Sequence, residues 1–378
     1  MIVDYCSDGL HNRRTSSGYP ASPSTRPANV RVNLVAADNG AGLTRDMNLL
    51  AGVLVEAGMD VTVTALRHGK LRKWFRPWFV RTGNALRRLL GLKPPFRLNL
   101  MQEHIRAEYL PWAEVNVLVP NPEYLLQSDI DLLQRTDCVF VKTRHAEEIL
   151  SRLGGRTEYI GFTSEDRGDA QAPRARAFLH VAGKSGNKGT QAVLDAWRQH
   201  PHWPQLTVVQ RSKPLPRSEP VPANVTLLTR YLADDALREL QNSHRFHLCP
   251  SRTEGFGHYL LEALGVGAVT LTTDGAPMNE LVTPERGILI PVARTGRQAA
   301  ATTWLVDAAG IADAVERALA LDEEQCEKLS EAARKFFLEN DRKFHDRIVS
   351  VVNAWLEDVP NSPAQPAPGE RLAELRIQ

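Results

Sequence analysis

The stretch VRVNLVAADNGAGLTRDMNLLAGVLVEAGMDVTVTAL, residues 30–66, decides the fold. Val30 to Ala36 is a short apolar run that stops at a glycine-rich turn. Leu43, Met47, Leu50, Val53 and Leu54 then recur at helical spacing, and Gly58 ends that helix. Val61, Val63 and Ala65 follow in alternation, as in a strand. Strand, loop, helix and strand in that order make the building block of a parallel sheet.

The unit repeats along the chain. AEVNVLV (113–119), DCVFVK (137–142) and TEYIGF (157–162) are compact β-rich runs. TSEDRGDAQAPRARA (163–177) is polar, contains Pro173, and reads as a linker. The alternation then restarts. Strands are expected at 178–183, 206–210, 225–228, 246–250, 268–273 and 287–292, with helices over 190–199 and near 234–242. Two separate runs of this kind predict an α/β protein with two doubly wound, Rossmann-like domains facing a cleft. The expected boundaries are 30–165 for the N-terminal domain and 176–345 for the C-terminal one. Residues 1–29, rich in Ser, Pro and Arg, read as a disordered tail, and 346–378 as a terminal helix with a Pro-rich tail.

Composition narrows the function. A net charge of +2 on 378 residues excludes a chain that binds nucleic acid through its overall charge. Cys6, Cys138, Cys249 and Cys326 are far apart and form no CxxC pair, so neither zinc nor a disulfide framework is expected and a reducing, cytoplasmic compartment fits. No apolar run approaches the roughly 20 residues needed to span a bilayer.

FHLCPSRTEGFGHYLLEALG (246–265) carries the chemistry. It reads as a strand over 246–250, a loop over 251–257 and a helix from His258. Ligands of a doubly wound sheet sit at the carboxyl ends of the strands. Gly255 and Gly257 allow close backbone approach, and the amides of His258 and Tyr259 would present the positive end of a helix to an anion. A diphosphate fits there. Glu254 in the loop and Glu262 one turn into the helix can reach opposite ends of one extended molecule, and carboxylates accept well from sugar hydroxyls. Taken alone, paired glutamates at helical spacing are usually a solvated face.

E-G-F-G-x-x-x-x-E-A resembles the E-x7-E motif of retaining GT-B glycosyltransferases of the family-four type. The resemblance covers roughly residues 30 to 345 and is strongest in the second half. It implies that Glu254 lies by the transferred sugar and Glu262 holds the nucleotide ribose, with Phe256 in the same loop. HVAGKSGNKGTQAVLDAW (180–197) is similar to the family's strand, basic residue, loop, Lys-Gly and helix, which assigns Lys184 and Lys188 to the donor diphosphate. GAVTLTTDGAPMNELVTPERGILIP (267–291) is similar to the family's donor loop, placing Glu280 beside the donor, although Ala276-Pro277 stands where Gly-Gly is usual. Asn39, Gly40, Ala41 and Gly42 match the Gly-rich first loop. Members often carry a His after the strand equivalent to 113–119. This chain reads PNPEYL, so Asn121 or Glu123 takes the place, with His104 and His145 as alternatives.

What the resemblance implies is hexose transfer from a nucleotide-sugar to a glycan or lipid-linked acceptor, with retention, no metal and no further cofactor. A nucleotide-sugar epimerase on the same scaffold and a non-catalytic nucleotide- or glycan-binding relative are the competing readings. SDID (128–131) resembles a DxD metal motif but sits in an amphipathic helical pattern, so Asp129 and Asp131 are expected on the surface. Polysaccharide biosynthesis is the process that such a transferase would serve.

RHGKLRKWFRPWFVRTGNALRRLLGLKPPFR (67–97) is a second signal. It holds ten Lys or Arg and no acid, so the other residues carry −8 net against +2 for the whole chain. Trp74, Phe75, Trp78, Phe79, Leu86, Leu89 and Leu90 are interleaved with the charge. This suits either an anionic membrane surface, giving a peripheral protein on the inner face of the plasma membrane, or a flexible basic insertion whose aromatics pack on the domain.

Overall fold

The computed structural model describes residues 2–4, 30–37, 42–66, 70–211 and 221–357. The tail expected over 5–29, the Pro-rich stretch after 357, and Asn39, Gly40 and Ala41 lie outside the described residues.

The first domain is one seven-stranded sheet. Its elements are β1 (Ile2–Asp4), β2 (Arg31–Ala36), α1 (Gly42–Glu56), β3 (Asp60–Ala65), α2 (Lys70–Leu89), β4 (Phe96–Gln102), β5 (Ala113–Val119), α3 (Gln127–Leu132), β6 (Cys138–Val141), α4 (Arg144–Arg152) and β7 (Thr157–Tyr159). The strand order is β1-β3-β2-β4-β5-β6-β7, all parallel except β1. Ile2–Asp4, expected in a disordered tail, instead pairs antiparallel with β3, which would otherwise be an open edge.

Two elements of this domain escape the sequence pattern. β4 begins within the last two residues of the basic stretch, and Asn99 at its centre breaks the apolar run. That Asn is the middle of a buried amide ladder: Asn33 Nδ2 donates to Asn99 Oδ1 (2.9 Å) and Asn99 Nδ2 to Asn116 Oδ1 (2.9 Å). Stretch 70–89 is a helix with Pro77 inside it, not a flexible insertion. Asp129 is also a correction. It is 2% exposed, because its carboxylate accepts from the amides of Ile105 and Leu126 and from His104 Nδ1 (2.8 Å).

The second domain holds β8 (Ala175–Gly183), α5 (Thr190–Gln199), β9 (Leu206–Gln210), β10 (Val225–Leu228), α6 (Asp234–Ser243), β11 (His244–Cys249), α7 (His258–Gly265), β12 (Val269–Thr273), α8 (Met278–Leu281), β13 (Gly287–Ile290), β14 (Arg294–Gln298), β15 (Ala301–Leu305), α9 (Ala308–Ala320) and α10 (Glu323–Glu357). Its main sheet runs β10-β9-β8-β11-β12-β13, entirely parallel, and β14 and β15 form a separate hairpin. The helix expected over 190–199 is α5, residue for residue.

The carboxyl-terminal boundary differs from expectation. No break falls at 345, because α10 is continuous from Glu323 to Glu357. Phe337 packs against α7 at Gly265, while Phe344, Ile348, Val352 and Leu356 share one buried core with β2, β3 and α1. The helix therefore ties the two domains with apolar contacts. The stretch 163–177 is likewise more than a spacer, since Thr163, Ser164 and Arg167 within it are all buried.

Candidate active site

The carboxyl ends of both sheets point into the interface between the domains. Strand β11 ends at Cys249, and the loop to α7 turns at Gly257, whose φ of +102° only glycine adopts without strain. The first amides of α7 have no acceptor within their own helix and face outward from its positive end. Glu262 sits one turn in and is 3% exposed.

Glu254 and Lys188 are brought together. Lys188 Nζ donates to Glu254 Oε1 at 2.5 Å, and Ser251 Oγ donates to the same oxygen. The ammonium also lies 3.6 Å from the centre of the Tyr259 ring, a cation–π contact. Gly189 explains the Lys-Gly pair: its φ is +70°, and a Cβ there would stand 2.3 Å from the Pro250 carbonyl oxygen. Behind this loop, His180 is fully buried between the Leu248 carbonyl (2.8 Å) and Thr190 Oγ1 (2.9 Å). Burial pulls its pKa down to about 4, so the neutral ring is a fixed strut at neutral pH. Lys184 is exposed at the end of β8 and forms no ion pair among the described residues.

Glu262 is fully engaged. Arg45 on α1 donates to Oε1 (2.5 Å) and Gln241 Nε2 to Oε2 (2.8 Å). Gln241 is held in turn by Arg167 Nε (2.6 Å), a 2% exposed guanidinium from the interdomain stretch that also bonds Asp234 Oδ1 (2.9 Å). Nothing in the sequence marks Arg167 or Arg45, because each acts across a long separation in the chain.

From the first domain, β5 delivers Asn121 and Glu123, and β6 delivers Lys142. Lys142 Nζ donates to Asp46 Oδ2 (2.6 Å) and Asn121 Oδ1 (2.7 Å). His258 Nε2 donates to Asp46 Oδ1 (2.6 Å), and its Nδ1 bonds Ser164 Oγ (2.7 Å). Burial would raise the Asp46 pKa, but Lys142 and His258 outweigh it and hold the carboxyl well below the usual range. Sequence reasoning missed this buried Lys142–Asp46–His258 chain. Its signal, a Lys closing the apolar run DCVFVK, is indistinguishable from a strand-end lysine.

Several residues are placed differently from expectation. The Phe256 side chain is turned into the core, edge-on to Phe162 with centroids 5.4 Å apart. Gly255 meets the first domain: a Cβ there would lie 2.2 Å from Asn121 Oδ1, so the glycine admits that side chain. Glu280 caps α4 across the interface, accepting from the amides of Arg144 (2.8 Å) and His145 (2.7 Å) at the positive end of that helix. Tyr259 is buried, its hydroxyl bonded to Ser251. Gly42 opens α1.

Glu123 is a strongly perturbed carboxyl near Glu254. Burial pushes its pKa up to about 7, and the charges of Glu254 and Glu103 add to the rise. Its Oε2 is buried with no partner among the described residues. Glu103, with φ of +66°, adds a third carboxyl beside Asn121 and Lys142, and burial raises its pKa too. His104 stands one step behind it, 3.6 Å from Glu103 Oε2. The β14–β15 hairpin lies over this group: Gln298 bonds the Glu123 carbonyl (3.1 Å) and Asn187 (3.1 Å), and the Ala300 amide bonds the Pro122 carbonyl (3.2 Å). Among the described residues, no three or more His, Cys, Asp or Glu are grouped to hold a metal ion.

Residues 175–320 match the family model described as glycosyl transferases group 1. The second domain is a group 1 glycosyltransferase domain. It contributes Lys188, Glu254, Glu262 and Glu280 to the interface described above. The two domains together have the GT-B fold. It is similar to sucrose-phosphate synthase from Thermosynechococcus elongatus (17% identity, TM-score 0.65, 87% of this chain and 99% of that one). It is also similar to HepE from Anabaena, solved with UDP and glucose (13%, TM-score 0.59, 86% and 100%). A third similar structure is trehalose-6-phosphate synthase, studied for glycosyl transfer with retention (13%, TM-score 0.59, 86% and 99%). No curated protein sequence matches the chain.

Proposed function

We propose that the protein transfers a hexose from a nucleotide-sugar to a glycan or lipid-linked acceptor, with retention of configuration and without a metal. The observation that carries this reading is the position of Glu254 and Glu262 on one strand–loop–helix at the domain interface, with Lys188 joined to Glu254 and the first amides of α7 between the two acids. In this reading the donor diphosphate replaces Glu254 as the partner of Lys188, and the ribose hydroxyls replace Arg45 on Glu262. The Lys188 charge and the helix end offset the negative charge that grows on the departing nucleotide, the role that a metal ion has elsewhere. The leaving phosphate takes the acceptor proton on the face it vacates, and Glu254 positions the sugar.

Glu123, Asn121 and Lys142 present the acceptor side. The base is expected near 227–234, where Tyr231 is exposed with Arg211 stacked 4.7 Å from its ring centre. Binding of UDP by a similar fold makes uridine the first base to test.

The test is incubation with a panel of α-linked nucleotide-sugars and simple sugar acceptors, read by proton NMR. Nucleotide release with an α-linked product is the expected result. A β-linked product contradicts retention. Isomerised sugar still bound to its nucleotide supports an epimerase, and no reaction with any donor supports a binding protein.

A further inference from the structure

We propose that α2 is an in-plane membrane helix that seats the first domain on an anionic lipid surface. The inference stands without the catalytic reading. At 100° per residue, Val80, Asn84 and Arg87 fall on one side of α2. That side faces the protein: Val80 packs on a core cluster of the first domain, and Asn84 bonds the Glu108 carbonyl (2.8 Å) and Trp112 Nε1 (2.8 Å). Trp78, Phe79, Leu86 and Leu89 fall on the opposite side, centred about 180° away. They are 59, 62, 57 and 83% exposed. The outward face of this helix is therefore its apolar face, the reverse of a surface helix on a soluble domain.

Arg81 and Arg88 lie between the two faces, where guanidinium groups of an in-plane helix meet lipid headgroups. The wider stretch 67–97 carries ten cations and no acid. That charge selects the partner. A second copy of this chain would set its Arg81 and Arg88, on a stretch with no acid, against the same cations of the first. A polyanionic nucleic acid would leave the outward tryptophan and leucines against phosphates. An anionic bilayer satisfies both features, taking the aromatics at headgroup level and contributing about 1 kcal/mol per nearby cation. The helix lies on the membrane and does not cross it, since no helix among the described residues is long and apolar enough to span.

The placement matters for the cleft. α2 starts at Lys70, five residues after Ala65 closes the paired stretch of β3, at the carboxyl end of the sheet where β5 and β6 deliver Asn121 and Lys142. Docking through α2 holds the flank of the first domain against the bilayer, with the start of the helix at the cleft side and its apolar residues running from there toward the start of β4.

The experiment is co-sedimentation of the full chain with vesicles of phosphatidylglycerol and phosphatidylcholine, against vesicles of phosphatidylcholine alone. The protein is expected to pellet with the anionic vesicles and to bind the neutral ones at least tenfold more weakly. Two double variants, Trp78→Glu with Leu86→Glu and Arg81→Glu with Arg88→Glu, should each lower binding tenfold or more while Tm stays within a few degrees. Wild-type protein that stays in the supernatant with anionic vesicles overturns the proposal. So does equal sedimentation of the variants, or a solution dimer that dissociates on Trp78→Glu with Leu86→Glu.

Discussion

At the scale of single residues, Glu123 is the side chain whose chemistry differs most from its sequence appearance. PNPEYL reads as an exposed turn, yet the carboxyl is 7% exposed, with one oxygen unpartnered. Its pKa rises from an ordinary 4.5 to about 7, first through burial. The sign follows from linkage: the folded state holds this proton more tightly than the unfolded state, so its contribution is greatest below pH 4.5 and is lost as pH rises through 7. The full swing is about 3 kcal/mol. Glu123→Gln should therefore raise Tm relative to wild type more at pH 8 than at pH 5. An equal change at both values would show that the carboxyl is ionised and solvated throughout. The strand, loop and helix that carry Glu254 and Glu262 were legible in the sequence because their spacing and glycines are local. Arg45, Lys142 and Arg167 were not, because their partners lie 217, 96 and 74 positions away.

At the scale of elements, the parallel units read well because each is a local pattern of strand, turn and helix. Apolar periodicity marked β2, α1, β3, α5 and β11. β4 failed because its core position is an amide, buried in a ladder that needs two other strands to exist. The β14–β15 hairpin failed for a different reason. Its turn places Ala299 at φ +49°, where a glycine or asparagine would have signalled a turn. Gly189 shows how such a constraint reaches the site. It joins Lys188 to α5 in a left-handed conformation, directly under the Pro250 carbonyl. Gly189→Ala meets both the positive φ and that oxygen at 2.3 Å, and is expected to cost about 1–3 kcal/mol and to displace Lys188. A lowered Tm together with weakened nucleotide binding is the outcome to look for. Unchanged values for both would mean that the loop tolerates the methyl group and that its geometry is not set there.

At the scale of the whole molecule, the two domains are closed on each other through side chains paired across the interface, Glu262 among them, which is proposed above to meet the donor ribose. Arg45 meets Glu262, Asn121 meets Gly255, Glu280 caps α4, and Asp46 holds His258. α10 adds an apolar tie, with Phe344 and Ile348 in the core of the first domain and Phe337 on α7. Two Rossmann-like domains and a cleft were legible from alternation alone. How they close was not, since closure rests on side chains paired across domains. The most direct measurement is calorimetric titration of UDP, and of the other nucleoside diphosphates if UDP is silent, into wild type, Glu262→Gln and Glu262→Ala. Hydrogen bonds from hydroxyls to a buried carboxylate are worth about 1.5–3 kcal/mol. The account predicts a nucleotide that binds wild type and loses roughly 10- to 100-fold in affinity in both folded variants. Equal affinity in all three proteins would contradict it.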